Sequence, residues 1–155
     1  MDKMETMIKL VKDYLDREQW KYTYDEETHT ILTGMKLKCK LQSLRMGVRF
    51  SENGYITIAY PALNAGEEYR QDIAEYITRA NFGVKNGNFE MDYKDGEIRY
   101  KVYTSYKGLN EFSEDIVEES FVIPIVMFER YGDGLAALLF GFSNPKEEID
   151  KAERW

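Results

Sequence analysis

The sequence predicts an α+β fold: one antiparallel sheet, built from a three-stranded meander and a later hairpin, with helices packed on one face. Three observations carry this. Residues 31–60 and 88–103 alternate apolar and polar side chains with a period of two, the pattern of half-buried strands. Asn53-Gly54 and Asp95-Gly96 are strong hairpin-turn signals within those stretches. Residues 3–18, 67–82 and 113–142 carry apolar residues at helical spacing instead.

In chain order, Met4, Met7, Ile8, Val11, Tyr14 and Leu15 form the apolar stripe of a first helix from about Lys3 to Glu18, with Asp2 as its cap. Trp20 to Tyr24 reads as a short strand or extended arm, and Glu26-Glu27-Thr28 as a turn. From Ile31 to Leu41, Met35, Leu37, Cys39 and Leu41 share one strand face, and Lys36, Lys38 and Lys40 the other. Leu44, Met46, Val48 and Phe50 then alternate with Arg45, Gly47 and Arg49. Tyr55 to Tyr60 makes the third main strand, with Ile56 and Ile58 inward, and Pro61 stops it. A second helix from about Glu67 to Phe82 buries Tyr69, Ile73, Tyr76, Ile77 and Ala80, and Gly83 relieves its left-handed cap.

The hairpin follows. A two-residue loop at Asp95-Gly96 sets Lys94 opposite Glu97, Tyr93 opposite Ile98, Asp92 opposite Arg99, Met91 opposite Tyr100 and Glu90 opposite Lys101. Glu90 and Asp92 invite an acid–base reading. Each has a basic neighbour across the strand that lowers its pKa, so a solvated charge ladder is expected. The runs Arg79 to Gly83 (R-A-N-F-G), Gly87 to Asp92 (G-N-F-E-M-D) and Asp95 to Lys101 (D-G-E-I-R-Y-K) together resemble the YbjN-domain family, whose fold is related to the type III secretion chaperones. That resemblance implies an α+β fold and a protein-binding or regulatory role, and it carries over no catalytic residue.

Beyond the hairpin, Ser113 caps a third helix with Glu114 and Asp115 in its first turn. The run Phe121-Val122-Ile123-Pro124-Ile125-Val126-Met127-Phe128 is apolar on every side, so the helix is expected to be buried all round and kinked at Pro124. Gly132 and Gly134 are expected to interrupt it. Asn144-Pro145-Lys146-Glu147 opens a last short helix.

No repeat, low-complexity segment or linker divides the 155 residues, so a single domain over 1–155 is expected. A net charge of −7 argues against a general nucleic-acid binder. The lone Cys39 precludes an internal disulfide and reads as an inert buried thiol in a reducing cytoplasm. No signal-peptide core or membrane-length apolar run is present. His29, the only histidine, lies on a turn without Cys or His at ligand spacing, and phosphate-loop, dinucleotide and nucleophile-elbow motifs are missing. No metal, cofactor or catalytic residue is therefore expected.

Two surfaces stand out. With a turn at Gln42-Ser43, Lys40 faces Arg45 and Lys36 faces Arg49. Lys36, Lys38, Lys40, Arg45 and Arg49 then form a basic stripe on an acidic chain, suited to an acidic segment of a protein partner. The bland alternative has these bases leaning toward acids in the fold or guarding a sheet edge. The third helix offers a homodimer surface through Phe121, Ile125 and Phe128, unless Leu135 to Phe142 of the same chain covers it. The resulting expectation is a non-enzymatic, homodimeric, chaperone-like or regulatory protein-binding module. The alternative is a small-molecule sensor or enzyme with a pocket lined by some of the twelve tyrosines.

Overall fold

The computed structural model describes residues 2–154. Helix α1, Lys3–Arg17, starts at a reciprocal capping box: the Asp2 carboxylate accepts the Glu5 N–H at 2.7 Å, and the Glu5 carboxylate accepts the Asp2 N–H at 3.3 Å. Its stripe of Met7, Ile8, Val11, Tyr14 and Leu15 is buried as the spacing predicts.

Six strands follow in two groups. Strands β1 (Tyr22–Asp25), β2 (Thr30–Lys36), β3 (Ser43–Ser51) and β4 (Gly54–Tyr60) form a meander. Strands β5 (Asn88–Met91) and β6 (Ile98–Ser105) form the hairpin. All pairings are antiparallel, in one open sheet ordered β1-β2-β3-β4-β6-β5. The meander therefore has four strands rather than three, because the short Tyr22–Asp25 segment pairs along its whole length with β2. Helices α2 (Arg70–Asn81, entered through a 3-10 turn at Glu67–Tyr69), α3 (Glu114–Leu139) and α4 (Pro145–Ala152) join α1 on one side. Against them the sheet buries Leu44, Met46, Val48, Phe50, Tyr55, Ala59, Phe89, Ile98, Tyr100 and Val102.

Four fully buried tyrosines act as posts in this core. Tyr55 shares a 2.8 Å hydrogen bond with the Ser120 hydroxyl, Tyr76 donates to the Tyr131 carbonyl at 2.9 Å, and Tyr100 donates to the Asn86 carbonyl at 2.6 Å. Tyr106 donates to the Ser51 carbonyl. Each ring thus supplies buried area while its hydroxyl keeps a partner. Tyr55, Tyr100 and Tyr106 thereby tie the sheet to the elements packed around it, and Tyr76 ties α2 to α3.

The structure corrects the sequence reading in five places. Strand β2 ends at Lys36, not Leu41. Residues 37–42 leave the sheet, closed by Leu37 N–H to the Gln42 carbonyl at 2.7 Å, and both Leu37 and Leu41 are buried under the helices. Cys39 therefore sits in a loop, half-buried, its thiol 3.6 Å from the Phe128 carbonyl and its pKa raised chiefly by burial. Ile56 and Ile58 point away from the helices, and Tyr55, Thr57 and Ala59 point inward, because Ser51 pairs with Gly54 and the turn is Glu52-Asn53.

The β5–β6 register is displaced by two residues: Met91 faces Ile98, Glu90 faces Arg99, Phe89 faces Tyr100 and Asn88 faces Lys101. Shifting by two keeps every side chain on its expected face. The loop is longer because Asp92 and Asp95 bond back to the Lys94 and Glu97 N–H groups, and the Gly96 N–H reaches the Asp92 carbonyl at 2.7 Å. Helix α3 runs unbroken through Gly132 and Gly134. A Cβ at Gly132 would lie 2.5 Å from the Cys39 sulfur, and one at Gly134 would overlap Tyr76, so both glycines are notches for neighbours. Finally, Phe121 and Phe128 are wholly buried within the chain. Phe121 packs on Tyr14 and Trp20, and Phe128 on Phe89, so neither is available as a dimer surface. Ile125 is half-buried against the same core.

Candidate functional site

With all four helices on one side, the other face of the sheet is bare. Alternation and register place its side chains in rows. One row runs Leu32, Gly47, Ile58, Lys101, Asn88; the next runs Thr30, Arg49, Ile56, Tyr103. A third holds Gly34, Arg45 and Tyr60. Leu32 and Tyr103 are each 54% exposed, unusual for side chains of that size in mid-sheet.

The charges on this face are unevenly satisfied. Glu90 is held between two bases, in contact with the Arg99 guanidinium and 3.0 Å from the Lys101 ammonium. Its burial acts to raise the carboxyl pKa, but the hydrogen bonds from Lys101 and Arg99 outweigh it and hold the group below the ordinary range. It is thus the charge ladder expected, with Lys101 and Arg99 as partners and Asp92 turned into the loop. Among the described residues, Lys36, Arg45 and Arg49 on the same face make no ion pair. Arg45 stands opposite Gly34 and Tyr60, and Arg49 opposite Thr30 and Ile56, so neither has a carboxylate across the ladder.

The expected basic stripe is therefore split. Lys36, Arg45 and Arg49 lie on the bare face, but Lys36 faces Ser43 rather than Arg49, and Arg45 faces Gly34 rather than Lys40, so no like charges are opposed. Lys38 and Lys40 fall in the 37–42 loop, where the Lys40 N–H donates to the Asp133 carboxylate at 2.8 Å, on the helix side. Sequence reasoning missed Leu32, Ile56, Ile58 and Tyr60 as residues of this face, whereas Tyr103 falls with Arg99 and Lys101 on the polar side of its strand, as the alternation predicts. In Tyr55–Tyr60 both alternating sets are apolar, so periodicity had no contrast to read. No protein-family model matches the chain, and no curated protein matches its sequence significantly.

One concavity breaks the flat face. A hollow of about 480 Å³ opens where Gly34 lacks a side chain, rimmed by Lys21, Thr23, Leu32, Arg45 and Tyr60. A second exposed apolar region lies on the helix side. Val122 and Val126, one turn apart on α3, are 40% and 51% exposed. A groove of about 500 Å³ near them is lined by Phe82, Val84, Ile123 and Met127, with Phe82 itself 91% exposed. Among the described residues no group of three His, Cys, Asp or Glu side chains is placed to hold a metal, and no helix is long and apolar enough to cross a membrane.

Proposed function

We propose that this chain is a non-enzymatic protein-binding module, cytoplasmic and chaperone-like or regulatory, that holds an acidic segment of a partner against the bare sheet face. The carrying observation is the coexistence there of arginines without ion pairs and exposed apolar side chains, on a protein whose net charge is −7. Cations with no internal partner keep their Coulomb energy for an incoming carboxylate, and the apolar rows supply area that charge alone does not. Resemblance of the 79–101 motifs to YbjN-domain proteins supports the same class of role. The test is binding of acidic peptides to wild type and to a variant combining Arg45→Gln, Arg49→Gln and Lys36→Gln. Binding that weakens with salt and is lost in the folded variant supports the reading; salt-independent binding equal in both refutes it.

Homodimer formation belongs to the same proposal, through the outward face of α3. Val122 and Val126 take the place of the buried Phe121 and Phe128. A two-fold contact repeats every substitution, so Val126→Glu should convert a dimer to a folded monomer. Light scattering that gives a wild-type mass near 18.3 kDa at every concentration overturns this.

A further inference from the structure

We infer that the hollow over Gly34 is an anchor pocket for one aromatic side chain of the acidic partner segment, an inference that rests on the bare face being the binding face. The hollow is a consequence of sequence. Along β2 the bare-face positions run Leu32, Gly34, Lys36, so the central one contributes no side chain while its neighbours stand up on either side. Across the ladder Arg45 stands opposite Gly34, and Tyr60 stands opposite Arg45. Lys21 and Thr23 close the β1 side.

The chemistry of the rim selects an aromatic ring over an aliphatic chain. Arg45 is exposed and has no ion pair, and Lys21 has none either among the described residues, so two cations flank the hollow without a competing carboxylate. A guanidinium or ammonium group over a ring face is attracted by the negative π-cloud, and an alkyl anchor gains nothing comparable. Leu32 and Tyr60 supply apolar contact beside the ring. The hollow is shallow and open, with a volume of about 480 Å³, so one large ring can lie in it with its backbone above, and the flat rows on either side leave room for the flanking acidic residues to reach Arg49 and Lys36.

A single-stranded nucleic acid is the competing occupant, since bases also stack on tyrosine and arginine. It is disfavoured because its charge repeats at every phosphate and would extend past this face onto a body that is acidic as a whole, whereas a peptide confines its carboxylates to the footprint.

The experiment uses fluorescence anisotropy on the full chain with two dye-labelled peptides of equal acidic content, one with a central Trp and one with Ala. Oligothymidylate and free indole-3-acetate serve as further probes. The Trp peptide is expected to bind roughly tenfold more tightly than the Ala peptide. Arg45→Gln should weaken both peptides, because Arg45 also meets the acidic residues, and should weaken the Trp peptide more, abolishing most of its advantage; Tyr60→Leu, which removes no charge, should reduce the advantage as well. Equal affinity for the two peptides overturns the anchor and leaves the acidic-segment reading standing. Failure of both peptides to bind removes that reading and the anchor with it. Oligothymidylate binding more tightly than the Trp peptide, or indole-3-acetate binding as tightly as the whole peptide, overturns the anchor in favour of a base-stacking platform or a small-molecule site. A melting curve for each variant excludes unfolding as the cause of lost binding.

Discussion

Two glycines with nearly the same backbone conformation make a controlled experiment. Gly96 has φ +77° and Gly83 has φ +86°. Replacing either with Ala forces a Cβ into the left-handed region, at roughly 1–2 kcal/mol. Their surroundings differ. Around Gly83 a new Cβ meets nothing within 4 Å. At Gly96 it overlaps the Ala65 carbonyl oxygen and comes within 2.8 Å of the Ala65 carbonyl carbon, both rigid backbone. The 92–97 loop would have to lift away, loosening the Ala65 N–H to Gly96 carbonyl bond at 2.8 Å and the Arg70 guanidinium bond to the Tyr93 carbonyl at 2.9 Å. At about 1 kcal/mol per hydrogen bond, the total for Gly96→Ala is roughly 3–4 kcal/mol, against 1–2 for Gly83→Ala. For a domain of this size that corresponds to a fall in melting temperature of about 10 °C in the first case and about 4 °C in the second. Thermal and urea unfolding followed by circular dichroism would measure both. Equal losses for the two variants would mean that the 92–97 loop is not docked on Ala65.

The remaining predictions concern the sheet and its charges. Asn81→Ala removes the amide that clasps Phe89, accepting its N–H at 2.7 Å and donating to its carbonyl at 2.9 Å; it should cost about 2 kcal/mol and speed hydrogen exchange of the Phe89 amide. Glu90 has a folded-state pKa below its unfolded value, so its contribution is present above the ordinary Glu range and lost as pH falls through the folded value. Urea midpoints of wild type should therefore drop in acid more steeply than those of Glu90→Gln. Tyr100 is pushed up to about 12, first by burial and then by the nearby Tyr131, so its contribution is complete below the unfolded tyrosine value near 10 and fades as pH rises toward 12. Tyr100→Phe should flatten part of that alkaline decline. The triple change Lys36→Gln, Lys38→Gln, Lys40→Gln should leave the urea midpoint nearly unmoved, because all three side chains are exposed and such charges contribute about 0–1 kcal/mol each.

Much of the fold was legible because local chemistry and burial agree. Asp2, Ser113, and Asn144 with Pro145 mark helix starts that the structure reproduces. Leu44, Met46, Val48 and Phe50 alternate against polar residues and are buried as a set. The failures share one cause, competition between local pattern and tertiary demand. Leu37 and Leu41 keep strand periodicity but are drawn down to the helices, ending β2 early. Ile56 and Ile58 outrank Thr57 and Ala59 in hydrophobicity, yet the Glu52-Asn53 turn sets the parity and turns them outward. Phe121 and Phe128 gave no sign of their direction, since every neighbour in that run is apolar as well. The candidate site was half visible. Arg45 and Arg49 were identified, but the hollow between β1 and β3 needs Gly34 opposite Arg45, a pairing the assumed turn had displaced.

The grip of Asn81 on Phe89 has a consequence for assembly. β5 is the last strand of the sheet, and its outward N–H and carbonyl at Phe89 are the groups another chain would use to add a seventh strand. A side-chain amide is a peptide group in miniature, so the chain has ended its own ladder with a cap drawn from α2. Two copies meeting at that edge find it occupied, and so does any extended guest. Strand addition at β5 must first displace the Asn81 amide from Phe89. For the partner segment proposed above, this favours recognition by side-chain spacing over backbone pairing at β5.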